Sequence, residues 1–199
     1  IFAGNVTAVS GAVMQMVGHG LTTGLLFLLV GVLYERRHTR QMADYGGIAS
    51  QVPVTTTLFV IAMLGSVGLP GLNGFVGEFT ILLGSWGSAI GGGIFSQVLT
   101  AAAAIGVILA AVYMLWMFQR VMFHEITHEE NKTLQDINKR EFAILIPIIL
   151  LIFWIGIYPN SFLRKMDASV NHLLKQVGEK ANIVSTLQKQ NEFEQLQQN

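Results

Sequence analysis

Two long stretches of this 199-residue chain are almost free of charge, and that limits its fold more than any motif does. Residues 1–34 contain no Asp, Glu, Lys or Arg, and residues 45–119 contain a single one, Glu78. The other 23 of the 24 formal charges lie in 35–44, 120–141 and 164–194. A soluble domain spreads charge over its whole surface, roughly a quarter of its residues. Here charged residues make up 12% and apolar ones 52%. The pattern implies an all-α integral membrane protein. Net charge is zero, so there is no electrostatic case for nucleic acid. With no Cys, disulfides and thiolate-held metals or iron–sulfur clusters are excluded. The chain opens on Ile close to an apolar segment, without a basic leader, so we expect the C-terminal part of a longer protein.

A membrane-spanning helix needs about 20 apolar residues. The first runs from about 9 to 34 and stops at Glu35-Arg36-Arg37-His38-Thr39-Arg40. The second apolar region, about 53–88, is too long for one straight span. At 1.5 Å per residue it would exceed the roughly 30 Å hydrocarbon core by more than 20 Å. Its centre, 65–74, holds four glycines (Gly65, Gly68, Gly71 and Gly74) and Pro70, which cannot sustain a regular helix. We expect a discontinuous helix broken there, at Gly68, Pro70 and Gly71. Such a break survives at membrane depth only against protein or a polar cavity. The third helix spans about 96–118. The fourth spans about 142–158, with Pro147 expected in its first turns, where a missing N–H is least harmful. Four spans result, one of them broken.

Lys and Arg alternate between loops. Arg36, Arg37 and Arg40 follow the first helix, none lies in 89–95, and Arg120, Lys132, Lys139 and Arg140 follow the third. The positive-inside rule makes loops 35–52 and 119–141 cytoplasmic and puts the C-terminus outside. Residues 161–199 form a separate unit. Leu163, Met166, Val170, Leu173, Leu174 and Val177 recur at helical spacing, which suggests an amphipathic helix on the bilayer or on a partner. The last dozen residues, polar and Gln-rich, are expected to be disordered.

Glu78 is the strongest chemical signal, the only formal charge in 75 residues and just past the expected break. An ionised carboxylate in hydrocarbon pairs, takes up a proton or lines water, which suits a proton relay. The alternative is a protonated or paired glutamate that holds helices together. His19 is second. Gln15, His19, Thr22 and Thr23 fall at i−4, i, i+3 and i+4, a polar stripe on an apolar helix. Histidine titrates near neutrality and can pass protons between its two nitrogens. The stripe could equally be interhelical glue. His124, Glu125, His128, Glu129 and Glu130 look superficially like metal ligands, but they follow a helix end with no third ligand in view, so no metal site is expected. No phosphate loop, nucleophile–base pair or cofactor fingerprint appears.

Three blocks then resemble a known family. They are Gln15-Met16-x-x-His19-Gly20-Leu21 with Gly24-Leu25-Leu26-Phe27 and Tyr34 to Arg40, then Gly46-Gly47 with Gly68-Leu69-Pro70-Gly71 and Asn73 to Phe79, and more weakly Gly156-Ile157-Tyr158-Pro159. Over about residues 9–160 the chain is similar to the proton-pumping chain M family of respiratory complex I, whose mitochondrial equivalent is subunit four of NADH dehydrogenase. The resemblance implies an antiporter-like fold of fourteen helices with two inverted repeats, of which this chain would be the last four. It makes Glu78 the acid of the outward half of a proton path, where sister chain L usually carries a lysine. It makes His19 the path's histidine, with Gln15, Thr22 and Thr23 in support. It implies other membrane subunits as partners, including adjacent antiporter-like ones, in a bacterial plasma membrane or mitochondrial inner membrane. NADH, FMN, iron–sulfur clusters and quinone would lie in those partners, with no cofactor and no redox chemistry in this chain. A subunit of a multi-subunit Na⁺/H⁺ exchanger or membrane hydrogenase, or a non-transporting scaffold, are the competing readings.

Overall fold

The computed structural model describes residues 3–88 and 93–197, with side chains described as far as Ala181. Six α-helices follow in order: α1 (Val6–Arg37), α2 (Pro53–Val67), α3 (Asn73–Trp86), α4 (Gly93–Met122), α5 (Lys139–Ile157) and α6 (Asn160–Gln197). Short 3₁₀ turns lie in the connections at Met42–Asp44, Ile48–Ser50 and Glu129–Thr133. α1, α4 and α5 are long and apolar enough to cross a membrane. α2 and α3, at 15 and 14 residues, are each too short to cross alone. Part of the expected 89–95 loop, residues 89–92, lies outside the described residues.

α2 and α3 nonetheless run end to end beside α1. The Asn5 side chain caps α1, accepting from the Ala8 N–H at 2.9 Å, and donates to the Gly84 carbonyl near the end of α3 at 2.7 Å. At the opposite end, Arg36 in the last turn of α1 reaches the loop before α5, while that loop's Asp136 caps α2. The Asp136 carboxylate accepts from the Val54 N–H at 2.7 Å, the Thr55 N–H at 3.0 Å and the Thr55 hydroxyl at 2.6 Å. α2 therefore starts where α1 ends, and α3 ends where α1 starts. Residues without side-chain bulk let α1 and α3 touch closely: a Cβ on Gly84 would collide with Ala8, and one on Gly77 with Gln15.

The core is concentrated near the α1–α2 turn, where Leu25, Leu29, Ile48, Val52, Ala62, Met122 and Ile152 are completely buried in one cluster. A smaller cluster of Met14, Val76 and Ile155 receives Phe162, Leu163 and Met166, and so docks the start of α6. Outward-facing Phe27, Ile94, Ile108, Leu109, Leu150 and Ile157 are exposed, which in water would be an aggregation hazard and in a bilayer is the expected surface.

Two expectations need correcting. Pro147 is not in the first turns of its helix. Asn138 and Glu141 form a capping box that starts α5 at Lys139, so Pro147 falls in the helix interior. There it removes the N–H that would bond the Ala143 carbonyl, a defect that membrane helices tolerate. The second concerns the tail. The backbone is helical as far as Gln197, where disorder was expected. Those residues include many good helix formers and no proline, so local propensity outweighs low hydrophobicity. Along the expected apolar face Val170 is buried, whereas Leu173 and Val177 are exposed.

Candidate functional site

The site is built at the break between α2 and α3. α2 ends at Gly68 (φ +80°), and Gly71 (φ +93°) turns the chain again before α3 begins at Asn73. Both backbones are in the left-handed region, where L-residues are penalised and glycine is not. The turn is closed by Leu69 N–H to Leu64 O at 3.0 Å and Leu72 N–H to Leu69 O at 3.1 Å. Gly156 of α5 packs against Gly71 and Leu72, so the irregular backbone is covered by protein on that side. Gly68, Pro70 and Gly71 thus stand within the interruption itself.

Glu78 follows in the second turn of α3 and is half-buried. Its carboxyl reaches back to the break, so closely that a Cβ on Gly68 would collide with Oε2. On the other side Gln15 Nε2 of α1 donates to Glu78 Oε1 at 3.3 Å. Among the described residues no cation pairs with Glu78. Gln15 Oε1 is buried without a hydrogen-bond partner.

The polar stripe of α1 is divided by its contact with α3. Gln15 and Thr22 lie on the packed edge. Thr22 is buried and donates back to the Gly18 carbonyl at 3.0 Å. His19 and Thr23 turn away: His19 is exposed, and its ring Nδ1 lies 3.2 Å from the Thr23 hydroxyl. No hydrogen bond joins His19 to Glu78 among the described residues. The structure therefore brings Gln15, Gly68 and Glu78 together and leaves His19 on a neighbouring open face.

Asn73 is the residue that sequence reasoning missed. It is completely buried, donates to the Gly18 carbonyl at 2.8 Å, and leaves its Oδ1 unpartnered. It ties the start of α3 to the turn of α1 that also carries His19. The available signal was an amide placed among the glycines of a break, where a polar side chain must find a backbone partner. Among the described residues no group of three or more His, Asp or Glu could hold a metal.

A discontinuous helix with a carboxyl at its break, packed in a bundle whose outward face is apolar, defines an integral membrane protein. The comparisons make this specific. The profile of the NADH:quinone oxidoreductase/Mrp antiporter transmembrane family matches residues 1–102, just over half of the chain, and the chain belongs to that family. NADH-quinone oxidoreductase subunit M of Rickettsia felis is 48% identical over 174 residues, covering 87% of this chain and 34% of the relative. NADH-ubiquinone oxidoreductase chain 4 of Chondrus crispus is 37% identical over 177 residues, covering 89% and 35%. Among solved structures, a chain of the respiratory complex I from Thermus thermophilus with bound NADH superposes with a TM-score of 0.78 at 32% identity, covering 88% of this chain and 35% of that one. The chain spans about a third of the length of the curated relatives it matches.

Proposed function

We propose that the chain carries part of a proton path in a membrane subunit of an NADH–quinone oxidoreductase, with electron transfer, NADH, FMN, iron–sulfur clusters and quinone in other subunits. The observation that carries this is the Glu78 carboxyl at the helix break, bonded to a neutral amide and to no cation among the described residues. A carboxyl held this way can load and release a proton without breaking an ion pair. His19, on the open face of the same helix pair, passes protons between Glu78 and groups on helices beyond this chain, with Thr23 orienting its ring. Thr22 serves packing, since its hydroxyl is used by its own helix.

The partners are the other membrane subunits of the complex, including adjacent antiporter-like ones. The end that carries loops 38–52 and 123–138 faces the cytoplasm, or its mitochondrial counterpart, and α6 begins on the opposite side. Supporting this, the two Lys/Arg-bearing loops are tied to each other at one end. Arg37 donates to Asn131 at 3.0 Å, the Gly47 N–H to Phe123 O at 2.9 Å, and Asn131 to Asp44 O at 3.0 Å.

Affinity isolation of the tagged full-length protein from its native membrane tests the assignment. NADH-oxidising, quinone-reducing activity should co-isolate. Co-isolation with Na⁺/H⁺ exchanger or hydrogenase subunits instead would replace it. The proton-carrier role is tested separately, by Glu78→Gln in the assembled enzyme.

A further inference from the structure

The Gln15–Glu78 pair is incomplete in a specific way. Gln15 Nε2 donates to Glu78 Oε1 over a long 3.3 Å, while the other end of the same amide, Oε1, is buried and has no partner. Native interiors leave few acceptors unpaired. The geometry points to Gln15 as a positioning residue that bonds Glu78 in both protonation states, its Nε2 donating to the carboxylate and its Oε1 accepting the proton of the acid. This rests on the reading of Glu78 as a proton carrier.

When Glu78 takes a proton from water, one carboxyl oxygen becomes an O–H that needs an acceptor, and the amide oxygen is an acceptor that needs a donor. A carboxylic acid and a primary amide are complementary: the acid O–H donates to the amide oxygen, and the amide N–H donates to the acid carbonyl. When the proton returns to water, the O–H bond is lost and the carboxylate keeps the N–H bond alone. The amide turns about its terminal torsion, which has a broad, shallow profile. Two glycines leave room for this. A Cβ on Gly77 would overlap the Gln15 side chain, and one on Gly68 would overlap Glu78 Oε2. From α1 the group that faces Glu78 is Gln15, and from the break it is Gly68. Among the described residues no titratable side chain bonds to Glu78, and the nearby His19 is turned outward toward Thr23.

Gln15→Met keeps the length and removes the amide. In the assembled enzyme the proton-transfer rate should fall about tenfold, the worth of one hydrogen bond to a charged group. In the acid-minus-base infrared difference spectrum, the Glu78 carbonyl band, identified by its disappearance in Glu78→Gln, should shift to higher frequency. If the variant does not assemble, the unaltered enzyme still decides the matter, because the Glu78 band should be accompanied by a side-chain amide band that moves when glutamine is labelled with nitrogen-15. An unshifted Glu78 band in Gln15→Met, or no labelled amide band in the unaltered enzyme, overturns the role of Gln15. If Glu78→Gln itself pumps normally, the underlying proton-carrier reading fails instead.

Discussion

Replacing Gly68 and, separately, Gly71 by alanine isolates what the break does for Glu78. Both glycines have positive φ, +80° and +93°, so each alanine incurs the left-handed penalty of about 1–2 kcal/mol. At Gly71 the added methyl meets open space, and that penalty is the whole effect. At Gly68 the methyl also collides with Glu78 Oε2 and pushes the carboxyl away from Gln15. A lost hydrogen bond to a charged group adds about 1.5–3 kcal/mol, which brings the total to about 3 kcal/mol or somewhat more. Hydrogen exchange on peptides covering 64–72 of the assembled enzyme reads the difference as local opening. Gly71→Ala should speed exchange by roughly tenfold and Gly68→Ala by a hundredfold or more, taking 1.4 kcal/mol per factor of ten. Proton pumping per NADH should be near normal in Gly71→Ala and strongly reduced in Gly68→Ala. Equal effects of the two variants on exchange and pumping would refute the idea that Gly68 seats the carboxyl.

Other outcomes follow from the ends of the bundle. Asp136→Ala removes the cap of α2 and should destabilise that helix by about 1–2 kcal/mol, read as faster exchange at Val54 and Thr55. Burial pushes the Asp136 carboxyl up, but hydrogen bonds from Thr55, Val54 and Ile137 outweigh it and hold the group below its usual value of 3.8. Its contribution to stability is therefore fully present at neutral pH and is lost as pH falls through and below about 4, so a pH titration of α2 exchange should show the unaltered protein converging on Asp136→Ala in acid. Gly84→Ala forces a methyl onto the Ala8 backbone and should cost about 1–3 kcal/mol, measured as reduced thermal stability of the assembled enzyme.

The break was legible in the sequence because its chemistry is local. Positive φ at residues 68 and 71 calls for glycine whatever surrounds them, and Pro70 cannot continue a helix. Glu78 was legible for a similar reason, since one charge in 75 apolar residues stands out without any knowledge of packing. The direction of the α1 stripe was not. Gln15, His19, Thr22 and Thr23 span about 100° of the helix, and which edge of that arc is covered depends on where α3 approaches. That approach is set by Gly77 and Gly84, more than 50 residues away. The partner of Glu78 was hidden for the same reason: Gln15 and His19 are equally good candidates by spacing, and only tertiary packing selects Gln15. Pro147 was misplaced because the α5 start is fixed by the polar pair Asn138 and Glu141, upstream of the apolar run that marked the helix. The helical tail shows propensity acting where hydrophobicity gave no guidance.

The most direct test of Glu78 as a proton carrier is the number of protons moved per NADH oxidised by sealed vesicles that contain the assembled enzyme. Glu78→Gln removes the titratable group and keeps its size, so NADH oxidation should persist in uncoupled vesicles while the proton ratio falls. Glu78→Asp should retain part of it. An unchanged ratio in Glu78→Gln would contradict a proton path through this carboxyl.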